Sequence, residues 1–305
     1  MALTRMRLEY VHPWPNHAGL FLARHAGAFA RRGLDVDLIS DGVDRGDAAR
    51  LLTRGEYDIA SIRLGQVLES RLTSTPLVAV ATLNQSQLGG LITTSATGIR
   101  RFRDLEGRTV AIPPANRLVK ALDEAVTADG GDFAAVTVAD PGIWEPDIRS
   151  VEQGKFDAIV NVKAWEPYQG VSAPEDVVVI TFDSVGVAPH HSYFVTVREE
   201  LLDRNPEFVR LFLAAADEGY HSALDDEDAA VQAMSVPLCH IDPDVLRASL
   251  RAIRGSWLAA DGRWGTIRPD LVEGYTAWMK AGDFFDAPVG STTGAFTNDF
   301  LPPAV

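Results

Sequence analysis

The sequence predicts an α/β fold made of two lobes. Three observations lead there. Strand-type and helix-type segments alternate from the N-terminus to about residue 197, the pattern of β-α-β units and parallel sheets. The run "PLVAVATL" (76–83) is apolar nearly throughout, as in a strand covered on both faces. The alternation also occurs twice before the chain turns mainly helical at Arg198, so two units of similar build are expected.

Taken in order, residues 6–11 alternate and read as a strand. Asn16 is a suitable N-cap for a helix over "HAGLFLARHAGAFARRG", whose Leu20, Phe21, Ala28 and Phe29 share a face and which Gly33 terminates. "LDVDLIS" is a second strand with Leu34, Val36 and Leu38 on one side. "DRGDAARLLTRG" is a short helix, "EYDIASI" a third strand and "LGQVLESRL" a helix before the buried run at 76–83. The second round comprises the strand "GGLITT", a small helix, turn and strand in "RRFRDLEGRTVAIPP", and an amphipathic helix in "ANRLVKALDEAVTADGG". It continues with the strand "AVTVAD", the helix "EPDIRSVEQGK" and the strand "FDAIVNV". "VVVITFD" and "SYFVTV" follow as strands, and "NPEFVRLFLAAADEGYHSAL" is the clearest helix of the tail. Crossings are expected near 83–90 and 182–191. Lobe 1 would then hold residues 1–86 and 190–305, and lobe 2 residues 87–189.

Composition excludes several classes. A formal net charge of −14 opposes binding to nucleic-acid phosphates or anionic membrane surfaces. The single cysteine, Cys239, excludes an intrachain disulfide or a cysteine-based metal site and reads as a packed or idle thiol. No segment reaches the roughly 20 apolar residues of a transmembrane helix, so no membrane insertion is expected. The N-terminus shows no apolar secretory region. This fits a cytoplasmic location if Met1 is the native start, and an extracytoplasmic one if a leader once preceded it.

Ligands of open α/β sheets bind beyond the carboxyl ends of strands, which places residues 10–17 at the mouth of an inter-lobe cleft. Trp14 offers a stacking face, Asn16 an amide, and His12 and His17 imidazoles near a helix start. Asn16 can equally cap the helix, and Trp14 can close the core. Arg63, directly after a strand, suits a two-point clamp on a carboxylate, sulfonate or phosphate, or a surface ion pair. Asn84 and Gln85 in "LNQSQ" can orient a polar ligand or form the turn at the crossing. Asn161, Trp165 and Glu166 in "VNVKAWEPY" can stack on and accept from a nitrogen heterocycle, or pack between lobes. His190 and His191 would point to opposite faces of a strand, so one of them at most is expected near a ligand. No metal-ligand spacing occurs, and neither a metal nor a cofactor is expected.

The ordered segments "NHAGLFLARHAGAFARRGLDVDLIS", "GEYDIASI", "FRDLEGRTVAIPP", "GKFDAIVNVKAWEPY" and "YFVTVREELLDRNPEFVRLFLAAADEGYHSAL" resemble type II periplasmic solute-binding proteins. They are most similar to the branch for sulfonates, taurine and thiamine-pyrimidine precursors, called NMT1/THI5-like. The resemblance spans nearly the whole chain. It implies a small heterocyclic or organic-anion ligand, an ABC-transporter permease as partner, and Asn16 and His17 beside the ligand. Yeast-type pyrimidine synthases on this scaffold carry a lysine, a histidine and a cysteine-rich run where this chain reads "SIRLGQ" and "APHHSY". Aryl-sulfinate desulfinases carry a nucleophilic cysteine where it reads "HPWPN", although their Arg-x-Gly clamp is similar to Arg63-Leu64-Gly65. The alternative to a binding protein is therefore an intracellular enzyme on the same scaffold without a cysteine nucleophile, such as a decarboxylase, a desulfinase-like lyase or a cofactor-biosynthesis enzyme.

Overall fold

The computed structural model describes residues 3–9, 12–40, 48–113, 115–142, 146–170, 174–185, 187–285 and 287–303. Its elements run β1 (Leu3–Arg7), α1 (Ala18–His25), α2 (Ala28–Arg31), β2 (Asp35–Ile39), α3 (Ala48–Thr53), β3 (Ile59–Ile62), α4 (Leu64–Ser70) and β4 (Leu77–Thr82). Then come β5 (Gly89–Thr94), β6 (Thr109–Ala111), α5 (Asn116–Ala128), β7 (Thr137–Ala139), α6 (Arg149–Glu152), β8 (Ala158–Val162) and β9 (Val177–Thr181). The chain ends with β10 (Phe194–Arg198), α7 (Glu199–Arg204), α8 (Pro206–Asp225), α9 (Glu227–Ser235), α10 (Pro243–Ile253) and α11 (Pro269–Ala281).

Two compact units result. Unit 1 comprises 1–86, 190–276 and 285–305; unit 2 comprises 87–189 and 277–284. The sheet of unit 1 has the order β2-β1-β3-β10-β4, and that of unit 2 the order β7-β6-β8-β5-β9. The expected parallel sheets are in fact mixed. β10 runs antiparallel to β3 and β4, and β5 runs antiparallel to β8 and β9. A strand that re-enters a sheet after a long excursion is under no β-α-β constraint on its direction.

In unit 1, β1 pairs parallel with β2 and β3, and β3 and β4 both oppose β10. The carboxyl ends of β1, β3 and β4 therefore share one end of the sheet with the amino end of β10. All six residues of β4 are buried, as its apolar run requires. The first strand ends at Arg7, not at residue 11. The expected single helix is broken between α1 and α2 at Gly27, whose φ of 74° is left-handed. Leu20, Phe21, Ala28 and Phe29 are all buried, and Phe29 stacks on Phe212 of α8 with ring centroids 5.2 Å apart.

α1 and α8 cross at glycines. A β-carbon on Gly19 would stand 2.4 Å from the Tyr220 ring, and one on Gly219 would stand 2.1 Å from the Gly19 carbonyl oxygen. No other residue permits this approach, and it seats the Tyr220 ring beneath the loop that precedes α1. Unit 2 has its own core, centred on Leu91, Val110, Leu122 and Val160, with Phe102 stacked on Phe182 at 5.3 Å.

Candidate functional site

The loop after β1 leads through a 3-10 turn, Pro15–His17, into α1. Trp14 occupies the N-cap position of that turn, and His17, not Asn16, that of α1. Asn16 is displaced from capping because its side chain turns inward. The Asn16 amide donates to Glu9 Oε1 (3.3 Å) and to Asn84 Oδ1 (3.1 Å), and its Oδ1 accepts from Asn84 Nδ2 (2.7 Å) and from the Trp257 indole (3.3 Å). All four hydrogen-bonding positions of this buried amide are thus used. Asn84 also donates to Ser256 Oγ (2.9 Å), and the Tyr220 hydroxyl donates to the Asn16 carbonyl (2.8 Å).

His17 is fully buried against a buried acid. The Trp14 backbone N–H donates to His17 Nδ1 (3.2 Å), which leaves the proton on Nε2, 2.7 Å from Glu9 Oε2. Burial alone raises the Glu9 carboxyl, but the His17 ring and the backbone N–H of Glu9 outweigh it. The acid is held below its ordinary range. Burial, with the nearby Glu9 charge, pushes the Tyr220 phenol well above its own range, so Tyr220 is a fixed donor. With both ring nitrogens engaged, His17 offers no lone pair to a substrate. Its geometry is that of a strut, because leaving any one of these buried groups unpaired costs about 1–3 kcal/mol.

His191 ties the same end of the sheet together. Its Nδ1–H donates to the Asn84 carbonyl (3.0 Å), and Nε2 accepts the Arg268 backbone N–H (3.0 Å). Burial pushes its pKa down to about 4. His190 and His191 precede β10 rather than lying in a strand; the His190 ring stacks on Tyr275 with centroids 3.9 Å apart. His12 is half-buried and donates from Nδ1 to the Pro13 carbonyl (2.8 Å). Arg63 stands at the carboxyl end of β3 and starts α4, its backbone N–H donating to Gln66 Oε1 (3.2 Å). Gln85 donates to the Thr266 carbonyl (3.0 Å), while its buried Oε1 has no hydrogen-bond partner among the described residues.

In unit 2, Asn161 lies near the end of β8. Its Oδ1 accepts the Val162 N–H (3.0 Å), and its buried Nδ2 has no hydrogen-bond partner among the described residues. Trp165 and Glu166 follow, both buried, at a 3-10 turn. Trp144, a further aromatic of the sequence, lies outside the described residues.

Within unit 1 the structure brings together Trp14, Asn16, His17, Asn84 and His191. It adds Glu9, Tyr220, Ser256 and Trp257, which sequence reading does not single out. Glu9 was detectable only as an acid at the exit of a strand; nothing local signals its burial. Trp14 and Trp165 are each 0% exposed, as the core-closing alternative has it. The "DGRWGTIRPD" loop bridges β4 at Thr82–Gly265 and stacks Trp264 on Tyr220. Cys239, read as packed or idle, is exposed. Among the described residues, no group of three or more His, Cys, Asp or Glu side chains is placed to hold a metal ion. No described helix is long and apolar enough to cross a membrane.

Comparison with known proteins adds a lineage. The family model described as NMT1/THI5 like matches residues 14–230. The formylaminopyrimidine-binding protein of Halalkalibacterium halodurans is 26% identical, over 92% of this chain and 87% of its own. The riboflavin-binding protein RibY of Chloroflexus aurantiacus is 27% identical, over 97% of this chain and 85% of its own. Among solved structures, the periplasmic aliphatic sulphonate binding protein SsuA from Escherichia coli superposes with a TM-score of 0.72. That superposition covers 98% of this chain and 99% of SsuA at 14% identity, a likeness of fold.

Proposed function

Because the chain belongs to the NMT1/THI5-like family, we propose that it is a solute-binding protein. Its ligand is a small, flat polar heterocycle or organic anion, which it delivers to the permease of an ABC transporter on the outer side of a membrane. Support comes from relatives that bind formylaminopyrimidine and riboflavin. The observation that carries the reading is the buried Glu9–His17–Asn16–Asn84 network. It consumes every polar position of Asn16 and His17 and so serves to hold a loop rigid at the carboxyl end of the unit 1 sheet. Rigid placement is what a selective binding site needs. Catalysis by His17 would need a free lone pair.

On this reading Asn16, His17, Asn84 and His191 are positioning residues. Contact with the ligand falls to groups with capacity left: Gln85 Oε1 in unit 1 and Asn161 Nδ2 in unit 2, with Trp14, Arg63, Trp165, Glu166, His12 and His190 as further candidates. The test is a thermal-shift screen of aminopyrimidines, flavins and alkanesulfonates, followed by calorimetry on Asn161→Ala and Gln85→Ala. Each variant should weaken the selected ligand by about 0.5–1.5 kcal/mol, the net worth of one neutral hydrogen bond. Stabilisation by no compound in the three classes, or wild-type affinity in both variants, would remove the proposal.

A further inference from the structure

At the opposite end of the unit 1 sheet lies a cavity of about 300 Å³. Arg198 ends β10 and pairs in register with Leu77, the first residue of β4. The cavity is therefore set where β3 and β4 begin, whereas the Asn16 network is set where they finish. Its polar lining is Arg54, Arg198, Thr53, Ser74, Thr75 and Glu200, none of which takes part in that network.

The lining is built for an anion. Arg198 is only 15% exposed, and its guanidinium is held in place: Nη1 donates to the carbonyls of Leu52 (2.9 Å) and Tyr57 (2.8 Å). Nε faces Glu200 at 3.5 Å, and Nη2 has no partner among the described residues. Arg54 is exposed at the rim and has no ion pair or hydrogen bond from its side chain among the described residues. The one acid of the lining, Glu200, is half-exposed and divides its charge between Arg198 and Arg204 (3.4 Å). Two guanidiniums against one shared carboxylate make a cationic spot in a chain of formal net charge −14. Arg198 is pre-oriented by its two carbonyls, so little side-chain entropy is left to lose on binding. The hydroxyls of Ser74 and Thr75 supply neutral donors beside it, as tetrahedral oxyanions require.

We infer that this cavity is a second binding site, for a phosphate or sulfate group carried either by the free ion or by a small organic ester. The test is titration of the intact chain with inorganic phosphate, sulfate and phenyl phosphate, followed by calorimetry and by the melting temperature, against chloride at equal ionic strength. At least one of the three should bind at one site and raise the melting temperature beyond the chloride control. Tighter binding of phenyl phosphate assigns the site to an ester; tighter binding of the inorganic ions assigns it to the free anion. Arg54→Glu, on an exposed side chain, should keep the fold and weaken binding by about tenfold or more, while Glu200→Gln should tighten it. Equal effects of chloride and the oxyanions, or binding unchanged in Arg54→Glu, would overturn the inference. Asn161→Ala should leave this binding untouched, so failure here is separable from failure of the solute-binding reading.

Discussion

His191 makes the stability of unit 1 depend on pH in a way that can be worked out. In the folded chain Nδ1–H donates to the Asn84 carbonyl and Nε2 accepts from the Arg268 N–H. A second proton on Nε2 would face that N–H, donor against donor, inside a site where the residue is 2% exposed. The folded pKa is accordingly about 4, against an ordinary 6.5. Between these values the unfolded chain binds the proton and the folded chain does not. Stability is therefore full above pH 6.5, falls as pH drops through the window, and levels off below about 4. At 1.36 kcal/mol per pKa unit, the loss across the window is about 3 kcal/mol. The assay is urea unfolding between pH 7 and pH 4, for the wild type and for His191→Gln, which keeps a polar group but cannot titrate. The wild-type curve should approach or cross the variant's as pH falls. Parallel curves would refute the assignment of both ring nitrogens.

Three further outcomes follow from the same contacts. Glu9→Ala leaves a buried imidazole N–H without its acceptor and should cost about 1–3 kcal/mol in urea unfolding at pH 7; a loss below about 0.5 kcal/mol would mean that the pair is not buried as described. The Glu9 carboxyl is held low, so its contribution is present above the ordinary carboxylate range and is lost as pH falls below it; Glu9→Gln should flatten that acid limb of a melting-temperature profile. Trp14→Ala and Trp165→Ala empty fully buried positions and should each destabilise by about 3–5 kcal/mol in thermal unfolding; undiminished stability in either would place that indole at the surface.

Much of the fold was legible because strand and helix periods are local. The buried run at β4 follows from its unbroken apolar stretch, and the strand–helix rhythm of both units from side-chain periodicity. Strand direction is not local: whether β10 enters the unit 1 sheet up or down depends on where a long excursion delivers the chain. Asn16 shows a local rule overridden. A residue type favoured at N-caps instead spends its amide on Glu9 and Asn84, and the N-cap position of α1 passes to His17. Tyr220 and Trp257 escaped notice because they lie 204 and 241 residues from Asn16 in sequence, joined to it only by tertiary packing. For Trp14 and Trp165 the sequence leaves two readings open, a stacking face or a place in the core, because a loop that follows a buried strand can turn its aromatic either way; both are buried.

The most direct measurement is a calorimetric titration of the purified chain with the best compound of the aminopyrimidine, flavin and sulfonate screen, with the compound recovered and analysed afterwards. The account predicts saturable binding of one equivalent per chain and recovery of the compound chemically unchanged. Heat that continues after saturation, together with recovery of an altered compound, would contradict it and make the chain an enzyme.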